Sequence, residues 1–254
     1  MIAVVRAELL KLTTTRLWWI MLVVMLVYSS LPIGITIAFA GQQGMPARGS
    51  AAFQQTLWGM GQGGALFAAV LGVVMMTAEY RYQTITTTFL VTPKRARVVA
   101  AKLAATLVVG VLLGLAVLVL TALAVVVTVL ASGGDLVFDG TTVRIVVGVL
   151  GALALYTLFG LGVGALIRNQ VAAIITIVAW IYVVDSIVNA IPALHGVAKW
   201  TPGGASSALT NTGNTLGVDT SYLLPAWAGA VVLLCYALLF SALASLTTLR
   251  RDIT

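Results

Sequence analysis

The sequence predicts an all-α polytopic membrane protein with six transmembrane helices, and three observations predict it. The 254 residues are 61% hydrophobic and only 8% charged, whereas a soluble domain carries about 25% charged residues. Mean hydropathy is +1.09. Apolar runs of about 20 residues, the length that crosses a bilayer as a helix, recur six times along the chain. So few charges cannot clothe a water-facing surface, and residues 1–254 read as a single transmembrane domain.

The elements follow in order. In residues 1–16, Ile2, Val5, Leu9 and Leu12 fall on one helical face, with Arg6, Glu8 and Lys11 on others. That spacing suits an amphipathic helix lying in the membrane interface; a cytoplasmic extension of the first span is the second reading. The first span runs from Leu17 to Ala40, with Trp18 and Trp19 as an interfacial anchor and Pro32 as a kink. The sequence Ala38-Phe39-Ala40 resembles a signal-peptidase site, but the preceding apolar run exceeds the ~7–15 residues of a signal core, so the span is expected to stay. The second span covers Leu57 to Ala78, and the charge-rich stretch 79–102 follows it. Spans three to six cover Leu103 to Ala131, Val143 to Ile167, Val171 to Ile191 and Ala226 to Leu249. Residues 192–225 read as an extracytoplasmic loop rich in Gly, Ser, Thr and Asn. Two glycine pairs, Gly110/Gly114 and Gly160/Gly164, stand four apart, a spacing that lets membrane helices approach closely.

Charge sets the orientation. Six spans put both termini on one side, and eleven of the fourteen Lys/Arg fall on that side. Basic residues concentrate in cytoplasmic loops, so both termini are expected to be cytoplasmic. The net charge of +7 is thus a matter of topology. No basic run is interleaved with aromatics as a nucleic-acid platform requires. Single copies of Cys (Cys235) and His (His195) support neither a disulfide framework nor a zinc site.

The stretch Glu79–Lys102 is the one long polar interruption on the basic side. It holds Glu79, five Lys/Arg and an apolar patch of Ile85, Phe89 and Leu90 among threonines. Thr84, Thr86 or Thr87 suits a helix cap, and Pro93 disfavours helix at Thr92. A plain loop with basic anchors is the simpler reading, but 24 residues with their own apolar patch exceed what anchoring needs. Within the fifth span stand Asp185 and, four residues on, Asn189; an ionisable group inside a span is a functional candidate. Proton relay, substrate contact and interhelical salt bridge are all open to it, and a structural or gating polar cluster is favoured. His195, Ser206 and Ser207 lack the partners of a catalytic arrangement. No Gly-Lys dipeptide occurs, so the phosphate-binding loop of ATPases is absent.

The order Glu79-Tyr80-Arg81, Thr84-Ile85-Thr86, Thr92-Pro93-Lys94-Arg95 and Ala101-Lys102-Leu103 resembles the signature of ATP-binding-cassette type-2 (ABC-2) permeases, especially short bacterial members. The opening Glu8-Leu9-Leu10-Lys11-Leu12, followed by Arg16 and Trp18, is similar to the start of the same family. The resemblance implies a short cytoplasmic coupling helix between the second and third spans, Thr84 to Leu90, that docks into a groove of an ATPase subunit. Phe89 and Leu90 would supply its apolar patch, Glu79 and Arg81 the polar contacts at its base, and residues 1–16 the interfacial connecting helix. It further implies two separate ABC ATPase subunits, a second permease copy or a related permease, and surrounding lipids of a bacterial cell membrane. The chain itself would be no enzyme and hold no cofactor, with ATP and Mg on the partner. The implied function is efflux of a hydrophobic or amphipathic cargo such as a drug, antibiotic, peptide or lipid. The rival readings are a proton- or ion-coupled secondary transporter using Asp185 and a non-transporting membrane sensor or scaffold.

Overall fold

A computed structural model describes residues 2–42, 44–82, 95–211 and 220–246. They form helices and connections without a strand, and six segments are long and apolar enough to cross a membrane. In chain order these are α1 (Ile2–Thr13), α2 (Leu17–Ala38), α3 (Ala51–Met60), a 3-10 turn (Gly61–Gly64), α4 (Ala65–Arg81), α5 (Arg95–Ala131), α6 (Gly140–Leu166) and α7 (Gln170–Ala179). A π-helical turn, Trp180–Val184, leads into α8 (Asp185–Ala190), which is followed by α9 (His195–Ala198), α10 (Pro202–Thr210) and α11 (Ala226–Leu246). The second span is α3, the 3-10 turn and α4 taken together, and the fifth is α7, the π turn and α8.

Helix starts are written locally. Ser50 caps α3 by accepting the Phe53 N–H at 3.2 Å, and Asp139 caps α6 by accepting the Thr142 N–H at 2.7 Å. That bond holds the Asp139 carboxyl below the usual carboxylate range. Asn169 caps α7 through the Val171 and Ala172 N–H groups, which is why the turn after α6 needs only a few residues. The second span therefore begins at Ala51, inside the stretch the apolar pattern assigns to a loop, because its first turn carries buried glutamines (Gln54, Gln55) rather than apolar residues. Gln54 answers its burial by bonding the Asp135 carbonyl and the Val137 N–H across the bundle.

The central helix is α6. It packs against α4, α5, α10 and α11, and nearly every side chain of its second half is buried. Small residues make this possible. A Cβ at Gly160 would run into the Ala69 carbonyl of α4, and one at Gly72 would run into the Thr157 carbonyl of α6. Gly164 lies on Val73, while Gly110 and Gly114 of α5 lie on Ala154 and Leu150. Both glycine pairs singled out by spacing thus pack at α6 contacts. By contrast, α2 buries only the stripe Met25, Ser29, Ile33 and Thr36 and turns Val23, Val27, Leu31 and Ile35 outward. Such an apolar exterior suits lipid.

Within residues 192–225, the described part is built rather than loose. Thr201 caps α10 and Pro202 opens it, Gly204 lies against the Ala198 carbonyl, and Ala205 and Ala208 are buried. The α10 helix packs against α6 and α11. It ends at Asn211, which takes the left-handed conformation (φ 44°) that suits a helix C-terminus.

The α4–α6 seam gives a direct test. Gly160→Ala should destabilise the protein by about 1–3 kcal/mol, the usual cost of overpacking, whereas Gly151→Ala, where an added Cβ meets open space, should leave the melting temperature unchanged or slightly higher. Thermal unfolding of both variants in detergent checks this.

Candidate functional site

Four charged side chains meet where α1, the end of α4 and the start of α5 come together. Glu8 and Glu79 are each 4% exposed and Lys102 only 3%, while Lys11 is half-exposed at the rim. Lys11 Nζ donates to Glu8 Oε1 at 2.6 Å and to Glu79 Oε1 at 2.8 Å. On the inner side Lys102 Nζ bonds Glu8 Oε2, lies 3.1 Å from Glu79 Oε1 and reaches the Met75 carbonyl at 3.4 Å. Two carboxylates alternate with two ammoniums, so the cluster is neutral as a whole. Isolated buried charges would be prohibitive, and only such mutual pairing lets them stay ionised.

The electrostatics of α1 follow from this geometry. Burial pushes the Glu8 carboxyl up, but the Lys102 and Lys11 ammoniums outweigh it and hold Glu8 below the usual carboxylate range. Burial likewise pulls the Lys11 ammonium down, and the Glu79 and Glu8 carboxylates reverse that and hold it above the ordinary lysine value.

Sequence spacing set Glu8 apart from the apolar face of Ile2, Val5, Leu9 and Leu12. The structure corrects that reading: Glu8 is the buried residue of the helix, whereas Ile2 is 85% exposed. The inward face is centred on a charge because its partners, Glu79 and Lys102, wait on other helices. Of the expected site residues, Glu79 lies in the cluster. Arg81 does not; its guanidinium lies over the Tyr82 ring, 5.8 Å from the centroid. Thr84, Ile85, Thr86, Thr87, Phe89, Leu90 and Pro93 fall outside the described residues. The helix ends that flank them are described, Arg81 closing α4 and Arg95 opening α5, and the cluster ties α4 and α5 together near those ends. Sequence reading quoted Glu8, Lys11 and Lys102 within motifs but gave none of them a place in a site. The signal available was a lysine flanked by Ala101 and Leu103 inside the apolar run that follows Arg97, together with a lone acid in α1.

A second polar locus lies deeper in the bundle. A cavity of about 390 Å³ opens between α2, the 3-10 turn, α6, the fifth span and α10. On one wall Gln62 donates to Ser206 Oγ at 2.6 Å and accepts from Thr210 Oγ1 at 2.7 Å; on another, the Tyr28 and Tyr182 hydroxyls bond each other. Asp185, the first residue after the π turn, is 5% exposed. Thr201, the Gly203 backbone and Trp180 surround its carboxylate, yet neither oxygen has a hydrogen-bond partner. Asn189 lines the same cavity but does not bond that carboxylate. Its Nδ2 donates to the Asp185 main-chain carbonyl at 2.6 Å, and its Oδ1 accepts from Tyr222 at 3.2 Å. Among the described residues no group of three or more His, Cys, Asp or Glu is placed to hold a metal.

Two predictions follow from the charge cluster. Lys102→Met leaves two buried carboxylates with one ammonium and should cost about 3–5 kcal/mol. Adding Glu8→Gln restores neutrality, leaving Glu79 with Lys11, and should recover much of that loss; a double-mutant cycle in thermal stability measures it. The pH dependence is set by the signs. Because Glu8 is depressed in the folded state, its contribution is present above the ordinary carboxylate range and lost as pH falls through its lowered value. Because Lys11 is raised, its contribution is present below the ordinary lysine range and lost as pH rises through its raised value. The stability gap between the parent and Glu8→Gln should therefore be flat from about pH 6 to 9 and shrink below about pH 4.

Comparison with known proteins fits this architecture. Residues 4–186, which include most of α1 and the whole charge cluster, match the family model described as ABC-2 family transporter protein. No curated protein gives a match. With the family model covering well over half of the chain, the protein belongs to the ABC-2 transporter family, the membrane-spanning subunits of ABC transporters.

Proposed function

We propose that the chain is the permease subunit of an ATP-driven exporter that moves a hydrophobic or amphipathic cargo out across a bacterial cell membrane. Two separate ABC ATPase subunits supply the work, and ATP and Mg bind there. A second copy of this chain, or a related permease, completes the pathway. Both termini and the segment 83–94 face the cytoplasm, a reading supported by the eleven basic residues on that side.

The observation that carries the mechanism is the buried cluster Glu8–Lys11–Glu79–Lys102. An ATPase that grips residues Thr84 to Leu90 pushes on a segment whose two ends enter α4 and α5. The cluster joins those two helix ends to each other and to α1, so the push moves three elements as one body. From there α4 passes the displacement into α6 through the glycine seam, where the backbones are in direct contact and leave no slack. The shift from inward- to outward-facing then follows from rigid-body movement of packed helices.

Affinity capture of the tagged protein in mild detergent tests the docking step. The parent should retain a soluble ATPase, and Phe89→Asp and Leu90→Asp should lose it while remaining folded. Capture unchanged in both variants would contradict the assignment. Extrusion driven by a proton gradient with no ATPase present would favour the secondary-transporter reading instead.

A further inference from the structure

The cavity beside Asp185 presents an acid and, among the described residues that line it, no positive charge. Asp185 is buried, and neither carboxylate oxygen has a partner. Among the described residues, no Lys or Arg lines the cavity. This contrasts with the other buried carboxylates, Glu8 and Glu79, each of which has two ammoniums within 3.1 Å. An unpaired buried carboxylate is costly, and intramembrane acids pair or mark ligand pathways. We propose that this cavity is a binding site for an organic monocation, an ammonium- or phosphonium-bearing amphiphile whose charge sits beside Asp185. Taken as the cargo site, it rests on the exporter reading above; taken as a binding site, it stands alone.

The walls decide the class of cation. A bare metal ion needs several oxygen ligands at close range; here Asp185 is the one acid among the residues lining a space of about 390 Å³, its carboxylate oxygens set into the wall against Gly203, and that volume is in the range of small-molecule pockets. Three tyrosines line it, Tyr28, Tyr156 and Tyr182, and aromatic faces attract organic cations as they pack against their apolar bodies. Leu66 and Ile181 add apolar wall, and Gln62 with Ser206 supplies a polar edge already satisfied internally. One negative charge fits one positive charge. The π turn just before Asp185 belongs to the same picture, since such turns recur at functional positions in helices. It offsets the register of α8 from α7, which brings Asp185 against Gly203, where any side chain would collide with the carboxylate.

The test is direct binding by the purified full chain in nanodiscs of zwitterionic lipid, without ATPase, after subtraction of empty discs. The probes are tetraphenylphosphonium and tetraphenylborate, matched in shape and opposite in charge. The parent should bind tetraphenylphosphonium saturably, one per chain, and tetraphenylborate no more than empty discs do. Asp185→Asn should weaken cation binding about tenfold or more, equivalent to roughly 1.4 kcal/mol or above, with Asp185→Glu retaining part of it. Equal binding of both probes, no saturable cation binding, or full binding by a folded Asp185→Asn variant would each overturn the proposal. If Asp185→Asn does not fold, the probe comparison on the parent still decides. Cation binding without ATP-driven export would sink the exporter reading and leave this site standing; ATP-driven export of neutral cargo without cation binding would do the reverse.

Discussion

Mutual neutralisation of four charges, three of them buried, is the constraint on which the end of the bundle that carries α1 depends. No one of Glu8, Glu79 or Lys102 is tolerable there alone, and each comes from a different helix. The elements must arrive together for any of them to be stable, so the cluster specifies how α1 docks as well as holding it in place. Apolar contacts from Leu9 and Leu12 would allow α1 to slide or rotate, since such contacts are non-directional. Charge-assisted hydrogen bonds at 2.6 and 2.8 Å do not.

The middle of the bundle uses a different device. Around α6, glycines replace side chains at the crossings with α4, α5 and α10, so helix backbones touch and dispersion acts at its shortest range. The periphery is looser in kind, with α2 and the fifth span turning most of their apolar surface outward. The cavity lies between these regimes, where the fifth span departs from α-helical register at Trp180–Val184 and α10 returns into the bundle. A rigid centre beside a peripheral span of interrupted helix is an arrangement in which a ligand site can form without unpacking the core.

Much of the architecture is legible in the sequence because bilayer thickness fixes span length and hydropathy reports it. The six spans, the short turn at Arg168 and the close-packed glycine pairs all derive from local spacing. What escapes is anything that depends on a partner far along the chain. Glu8 pairs with a lysine 94 residues away, and spacing within α1 alone assigns it to the wrong face. The cavity is half legible: Asp185 stands out as a charge in an apolar run, but Gln62, Tyr28 and Ser206 are neutral residues whose convergence is purely tertiary. The start of α3 is hidden for a similar reason, since Gln54 is buried by bonds to the 135–137 segment and looks like loop until those bonds are known. The segment 83–94 keeps its assignment from family resemblance alone.

The central claim is that the charge cluster makes α1 and the ends of α4 and α5 one mechanical unit. Distance measurement between spin labels at Leu10→Cys and Tyr82→Cys, two exposed positions, in a Cys235→Ser background tests it most directly. The account predicts one narrow distance distribution that stays the same with and without ATPase and ATP, and that broadens when Lys102→Met is introduced. A distribution already broad in the parent, one that shifts with nucleotide, or one indifferent to the loss of Lys102 would contradict it.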